Sequence, residues 1–117
     1  MKEFMYLFKD KESITNKLSP EQMQAHMQEW MAWMQQLAQL GKLKGGAPLE
    51  EMGGKTITGK NKVVTDGPFP ETKELVGGYL LVQVKDLEEA VQLAKGCPGL
   101  AVDQCSVEIR AVKSMEA

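Results

Sequence analysis

Over residues 4–8 the apolar side chains fall on both faces of an extended segment, with Phe4, Tyr6 and Phe8 on one face and Met5 and Leu7 on the other. A strand apolar on both faces needs cover on both, which predicts a central strand. The polar stretch 9–17 then leads to the clearest helix in the chain. Ser19 suits an N-cap, Pro20 the first helical position, and Gln22 completes a capping box. Leu18 and Met23 stand at the positions of a hydrophobic staple, and Gly41 closes the helix. At about 100° per residue, Met23, Met27, Trp30, Met31, Met34, Leu37 and Ala38 share one face. His26, Trp33 and Leu40 widen it on one flank, and most of the polar side is glutamine. One sheet fills a narrower stripe than this. The flank is expected to meet a loop, a pocket or a second subunit.

Residues 42–54 are rich in Gly and Lys, and within them 43–49 predict a short, irregular strand. Residues 56–58 and 62–65 predict a hairpin around Gly59, Lys60 and Asn61. The segment 66–70, Asp-Gly-Pro-Phe-Pro, must turn, because its two prolines remove two ladder donors. Residues 79–84 form a strong strand introduced by Gly77 and Gly78. Gly67 and Gly78 are expected where the backbone needs glycine or packs closely. Asp86 caps a second helix with Glu89 in the capping-box place, and Leu87, Ala90, Val91 and Ala94 are its apolar stripe. Gly96 and Pro98 end it. Along 104–112, Cys105, Val107, Ile109 and Ala111 alternate with Gln104, Ser106, Glu108 and Arg110.

The order is strand, helix, short strands, strand, helix, strand. It predicts an α+β fold, a ferredoxin-like βαββαβ plan with an inserted hairpin, as a single domain over 1–117. Both helices of that plan lie on one sheet face, to which Leu80, Val82, Val84, Cys105, Val107 and Ile109 are assigned. The opposite face then carries Tyr79, Leu81, Gln83, Ser106, Glu108, Arg110 and one side of the first strand. It is too apolar to stay bare and too polar for a dry core. Two such faces closed across a two-fold axis resolve the conflict and leave a mixed-polarity interior suited to a ligand.

Composition narrows the function. The net charge is −2 with a pI near 5.5, and no Lys/Arg cluster forms the basic stripe of a nucleic-acid binder. The first apolar run is too short for a signal-peptide core, and nothing reaches the length of a membrane span. Two cysteines, Cys97 and Cys105, make neither a disulfide framework nor a metal-ligand spacing, so a reducing, cytoplasmic setting is expected. With a single histidine and scattered carboxylates there is no recognisable ligand set, and no metal or cofactor is expected. Phosphate-loop and nucleophile-elbow motifs are missing from the sequence.

His26 is the one side chain that titrates near neutrality by type. It is either a general acid or base at a pocket rim, or a boundary histidine with a backbone or water partner. Asp66 either closes an Asx-turn or orients His26 or a substrate. Glu71, Lys73 and Glu74 are either a solvated loop cluster or the mouth of a pocket. Glu108 and Arg110, two apart on one strand face, are costly inside a barrel unless paired or facing a polar ligand. Tyr79 can offer its hydroxyl on the same face. Cys97, just after a helix C-terminus, is a weak nucleophile.

The run Val63-Val64-Thr65-Asp66-Gly67-Pro68-Phe69-Pro70-Glu71-Thr72-Lys73-Glu74, followed by Gly77-Gly78-Tyr79, resembles the signature of the YCII-related, or DGPF-domain, family. Ser19-Pro20-Glu21 with Ala25-His26-Met27 resembles that family's first-helix pattern, and Cys97-Pro98 is similar to its segment after the second helix. The resemblance implies a dimeric α/β-barrel and no known substrate. It also implies two competing roles. One is a small-molecule enzyme or binding protein, for which the residues read above offer His26 and Asp66 as catalytic candidates and Trp33, Phe69, Tyr79, Glu108 and Arg110 as binding candidates. The other is a non-catalytic regulatory module associated with an extracytoplasmic-function sigma factor. The expected partners are a second copy of the chain and an unknown small molecule, without nucleic acid or membrane.

Overall fold

Strand β1 (Lys2–Asp10) lies inside the sheet, where its two apolar faces predict it, with antiparallel neighbours on both sides. The computed structural model describes residues 1–10, 18–50, 53–67, 75–101 and 105–114. After β1 come helix α1 (Pro20–Gln39), β2 (Leu43–Pro48), β3 (Lys55–Thr58), β4 (Val63–Asp66), β5 (Leu75–Val84), helix α2 (Leu87–Ala94), a 3-10 turn (Pro98–Ala101) and β6 (Cys105–Ala111). The main sheet is antiparallel in the order β2-β5-β1-β6, and β3 pairs with β4 in a separate hairpin. This is the strand order of the expected βαββαβ plan, with the hairpin inserted between its second and third strands.

Both ends of α1 follow the local chemistry. The Ser19 side chain accepts from the Gln22 N–H at 3.1 Å, and the Gln22 side chain accepts from the Ser19 N–H at 2.9 Å. At the other end Gly41, at φ 72°, lets its own N–H reach Ala38 O while the Lys42 N–H reaches Leu37 O, each at 3.0 Å. That pair of bonds is a Schellman closure. Helix α2 is capped by Asp86, whose carboxylate accepts from the Glu89 N–H at 2.9 Å. Glu89 accepts from the Lys85 N–H at 2.8 Å, one residue before its expected partner, and Lys42 lies 3.6 Å from the same carboxylate.

The core lies between the helices and one sheet face. Phe4, Tyr6, Leu80, Val82 and Val84 of the sheet are buried against Trp33, Leu37, Ala90 and Ala94, with Val107 and Ile109 packed on them. The six residues assigned to the helix side stand there, and Cys105 is half-buried. In α2 the stripe differs at one position: Leu87 is exposed, and Leu93 packs on the core in its place.

Helix α1 is rolled away from its methionine stripe. Trp33 and Leu37 are buried, while Met27 and Met31 are 57% and 62% exposed. The reason is the area and geometry that the indoles offer. Trp33 stacks on Tyr6 with centroids 6.3 Å apart, and its N–H donates to Leu93 O at 3.3 Å. Trp30 meets the Phe8 ring edge-on at 4.9 Å. The connection from α2 to β6 covers Trp33 of the flank and the adjacent Trp30, since a Cβ on Gly96 would lie 3.2 Å from the Trp33 indole nitrogen and one on Gly99 3.1 Å from the Trp30 ring, while Leu40 stays exposed.

Two glycine expectations meet the structure differently. Gly67 has φ 142°, in the region that favours glycine. Gly78 lies inside β5, which starts earlier than expected, and a Cβ there would sit 3.0 Å from Ala47 O of β2. The missing side chain lets the irregular edge strand close onto β5.

Candidate functional site

At one end of the sheet, where β1 finishes and β6 begins, several chemically capable side chains lie on the helix side. His26 is half-buried on α1, one turn before Trp30, and its Nε2 accepts from the Trp30 indole N–H at 2.9 Å. The accepting nitrogen bears no proton in this bond, so the ring proton is on Nδ1. Trp30 in turn packs on Phe8 and Gly99. Two residues beyond Phe8, Asp10 accepts the Cys105 thiol hydrogen at 2.5 Å. Burial first, then the bond to Asp10 and its charge, push the Cys105 thiol up to about 12. Burial pushes the Cys97 thiol up to about 11. Both cysteines are free and protonated at neutral pH, which makes them poor nucleophiles.

Asp66 is on the hairpin. It closes β4, is exposed, and forms an ion pair with Lys55 of β3, directly opposite in register. The Gly67 N–H donates to Gly54 O at 3.2 Å and carries the hairpin one step further. Phe69, Glu71, Lys73 and Glu74 lie outside the described residues. Trp33 is enclosed in the core.

The sheet face away from the helices is built by alternation. Strand register sets Met5 beside Leu81 and Arg110, and Leu7 beside Tyr79 and Glu108. Lys9 continues that face and ion-pairs with Glu108. The Arg110 Nε stands 3.8 Å from the other Glu108 oxygen. Hydrogen bonding to Lys9 and its charge hold the Glu108 carboxyl below its usual range, with Arg110 adding in the same sense. Further along, Lys44 of β2 reaches Glu3 at 3.3 Å, and the Gln83 side chain donates to Gly41 O at 3.0 Å. Half-buried Met5, Leu7, Leu81 and Tyr79 thus lie beside a carboxylate shared by two cations.

The structure therefore brings Glu108, Arg110 and Tyr79 onto one face, as the alternation predicts. It places His26 on the other side of the sheet and gives Asp66 a partner on its own hairpin. Three residues were not singled out from the sequence. Lys9 is the next residue after Met5 and Leu7 on a two-residue period, and the pattern could have found it. Asp10 likewise ends the Phe8 face. Trp30 lies on the apolar helix face, and its spacing of four residues from His26 on one helix is a signal that could have found the contact. Among the described residues, no group of three His, Cys, Asp or Glu side chains is placed to hold a metal ion.

Three similarities bear on this arrangement. The family model of the YCII-related domain matches residues 2–116. An uncharacterised protein of Rhizobium meliloti (strain 1021) is 31% identical over 108 residues, covering 85% of this chain and 82% of that protein. Among solved structures, the 5-chloro-2-hydroxyhydroquinone dehydrochlorinase of Burkholderia phenoliruptrix AC1100, in complex with 2,5-dihydroxybenzoquinone, is similar with a TM-score of 0.50. It is 15% identical, and the match covers 95% of this chain and 93% of that one. At that identity the likeness is one of fold.

Proposed function

Because this chain belongs to the YCII-related family, we propose that it is a homodimer whose two open sheet faces close into an α/β barrel and bind or convert a small molecule between them. The observation that carries this reading is the open face itself. The molecule is 20 Å across its thinnest dimension, room for one sheet and one layer of helices. Among the described residues, both helices lie on one face of the sheet and the other is left without a covering layer. That face sets Met5, Leu7 and Leu81 around Tyr79, Lys9, Glu108 and Arg110. A face of this kind gains by pairing with its own copy, since apolar residues are covered while charged ones converge on an enclosed space.

The dehydrochlorinase has this fold and a small ring compound in its solved complex. It supports the fold as a carrier of small-molecule sites and lends no substrate to this chain. For conversion rather than binding, the proposed acid–base couple is His26 with Asp66, acting at the rim of a pocket near the barrel and not from the open sheet face. It rests on residue type and on the family signature around both.

Sedimentation at micromolar concentration is the first test, and twice the chain mass is expected. A clean monomer sinks the barrel. A thermal-shift screen of small metabolites is the second, since a ligand that binds the folded dimer raises its melting temperature by mass action. His26→Asn and Asp66→Asn variants should keep binding and lose turnover. If no small molecule shifts melting and a sigma factor co-purifies in fixed ratio, the regulatory-module reading takes over.

A further inference from the structure

We infer that the molecule held between the two sheets is an anion, a carboxylate with an apolar body, anchored by Arg110 with Lys9 beside it. The inference rests on the dimer reading above and follows from the charges of the open face. Strand β1 contributes Glu3 and Lys9, β2 contributes Lys44, and β6 contributes Glu108 and Arg110. Between Gly78 and Val84, β5 contributes no charged residue. Among the described residues the face therefore carries three cations, Lys9, Lys44 and Arg110, against two carboxylates, Glu3 and Glu108. Three minus two leaves one positive charge per face and two in a closed pair.

The excess is local. Lys44 is matched by Glu3 at 3.3 Å. Lys9 takes one oxygen of Glu108 in a hydrogen bond. Arg110 is left with the other Glu108 oxygen, 3.8 Å from its Nε, and its side chain is 71% exposed. At that distance the contact is an ion pair without a hydrogen bond. The guanidinium fork is thus the weakly matched cation of the face, and water solvates it as long as the face is open.

Closing the barrel would strip that water. A buried charge without a matched partner opposes closure, and an anion supplied by a ligand removes the opposition. The surroundings fit the same ligand. Met5 is opposite Arg110 in register, and Leu7 is opposite Glu108 and next to Tyr79. These apolar walls lower the local dielectric and strengthen a charged contact. The planar fork of arginine favours a carboxylate gripped by two parallel bonds. Tyr79 adds a neutral hydroxyl on the same wall.

The test uses the full chain and defined probes: benzoate, its neutral counterpart benzamide, and inorganic phosphate. Melting temperature and dimer dissociation are measured with each at millimolar concentration. Benzoate should raise the melting temperature and tighten the dimer, phosphate should do so more weakly, and benzamide should do neither. Arg110→Gln should weaken the benzoate effect about tenfold or more while tightening the ligand-free dimer, because the uncompensated charge is gone. Glu108→Gln adds one positive charge per face and should do the reverse, loosening the free dimer and strengthening the benzoate response. A wild-type dimer that ignores benzoate, or answers benzamide equally, overturns the anion and leaves the dimer standing. So does an Arg110→Gln dimer that is weaker without ligand and still responds to benzoate. A monomer under every condition overturns the dimer reading beneath it.

Discussion

Cys105 gives its thiol hydrogen to Asp10, and that bond and the charge of Asp10 add to burial in keeping the thiol neutral. Asp10→Asn removes the acceptor charge and leaves burial as the main cause keeping the thiol protonated. Alkylation of Cys105 by iodoacetamide at pH 8 should then speed up several-fold, because rate follows the thiolate fraction. An unchanged rate would mean that burial alone controls the thiol. Gly46 makes a second residue-scale case. Its φ is 154°, and a Cβ would lie 2.3 Å from Tyr79 O and 2.5 Å from a Leu80 methyl carbon. Its neighbour Gly45 has open space around the same position. Gly46→Ala should cost about 3 kcal/mol or more in chemical denaturation, and Gly45→Ala within about 0.5 kcal/mol. Nothing in the local sequence separates these two adjacent glycines. The difference is made by β5 lying against one of them.

At the scale of elements, the boundaries were legible wherever a local interaction sets them. Ser19, Gln22 and Gly41 mark the ends of α1 through bonds made within a few residues, and Asp86 marks the start of α2 in the same way. The orientation of α1 was not legible. Seven residues share its methionine face, yet of them the helix fully buries Leu37 alone, together with Trp33 from the flank, because Tyr6, Phe8 and Leu93 O are the partners that meet Trp33. Hydrophobic periodicity counts apolar positions and is blind to what lies opposite them. Leu37→Ala should therefore cost about 3 kcal/mol, and Met31→Gln within about 0.5 kcal/mol of nothing. A Met31→Gln variant as damaged as Leu37→Ala would return the helix to its methionine-centred orientation.

For the molecule as a whole, alkaline pH is the direct probe of the buried end. Tyr6, fully buried and donating to Ala90 O at 2.5 Å, has its hydroxyl pushed up to about 12, first by burial and then by Glu89 and Cys97. Cys97 and Cys105 are raised as well, to about 11 and about 12. Above pH 9, where unfolded thiols begin to ionise, the folded chain keeps protons that the unfolded chain has lost. Stability is therefore whole below pH 9 and falls as pH rises through the window from 9 to 12. Urea midpoints at pH 8 and pH 10.5 should differ in that sense. Tyr6→Phe should lower stability at pH 8 by about 1–2 kcal/mol and flatten the alkaline loss. A midpoint that does not move between the two pH values would place all three groups in contact with solvent in the folded chain.

The sequence by itself determined the α+β class, the order of elements, the central place of β1, the helix ends and the division of side chains between the sheet faces. Each of these follows from chemistry between near neighbours or from a two-residue period that is independent of distant parts of the chain. The tertiary structure decided the roll of α1, the bond between Cys105 and Asp10, and the sharing of Glu108 by Lys9 and Arg110. Each of these sets one element against another. Such contacts depend on register and on distances between elements, and those distances exist only once the whole sheet has closed.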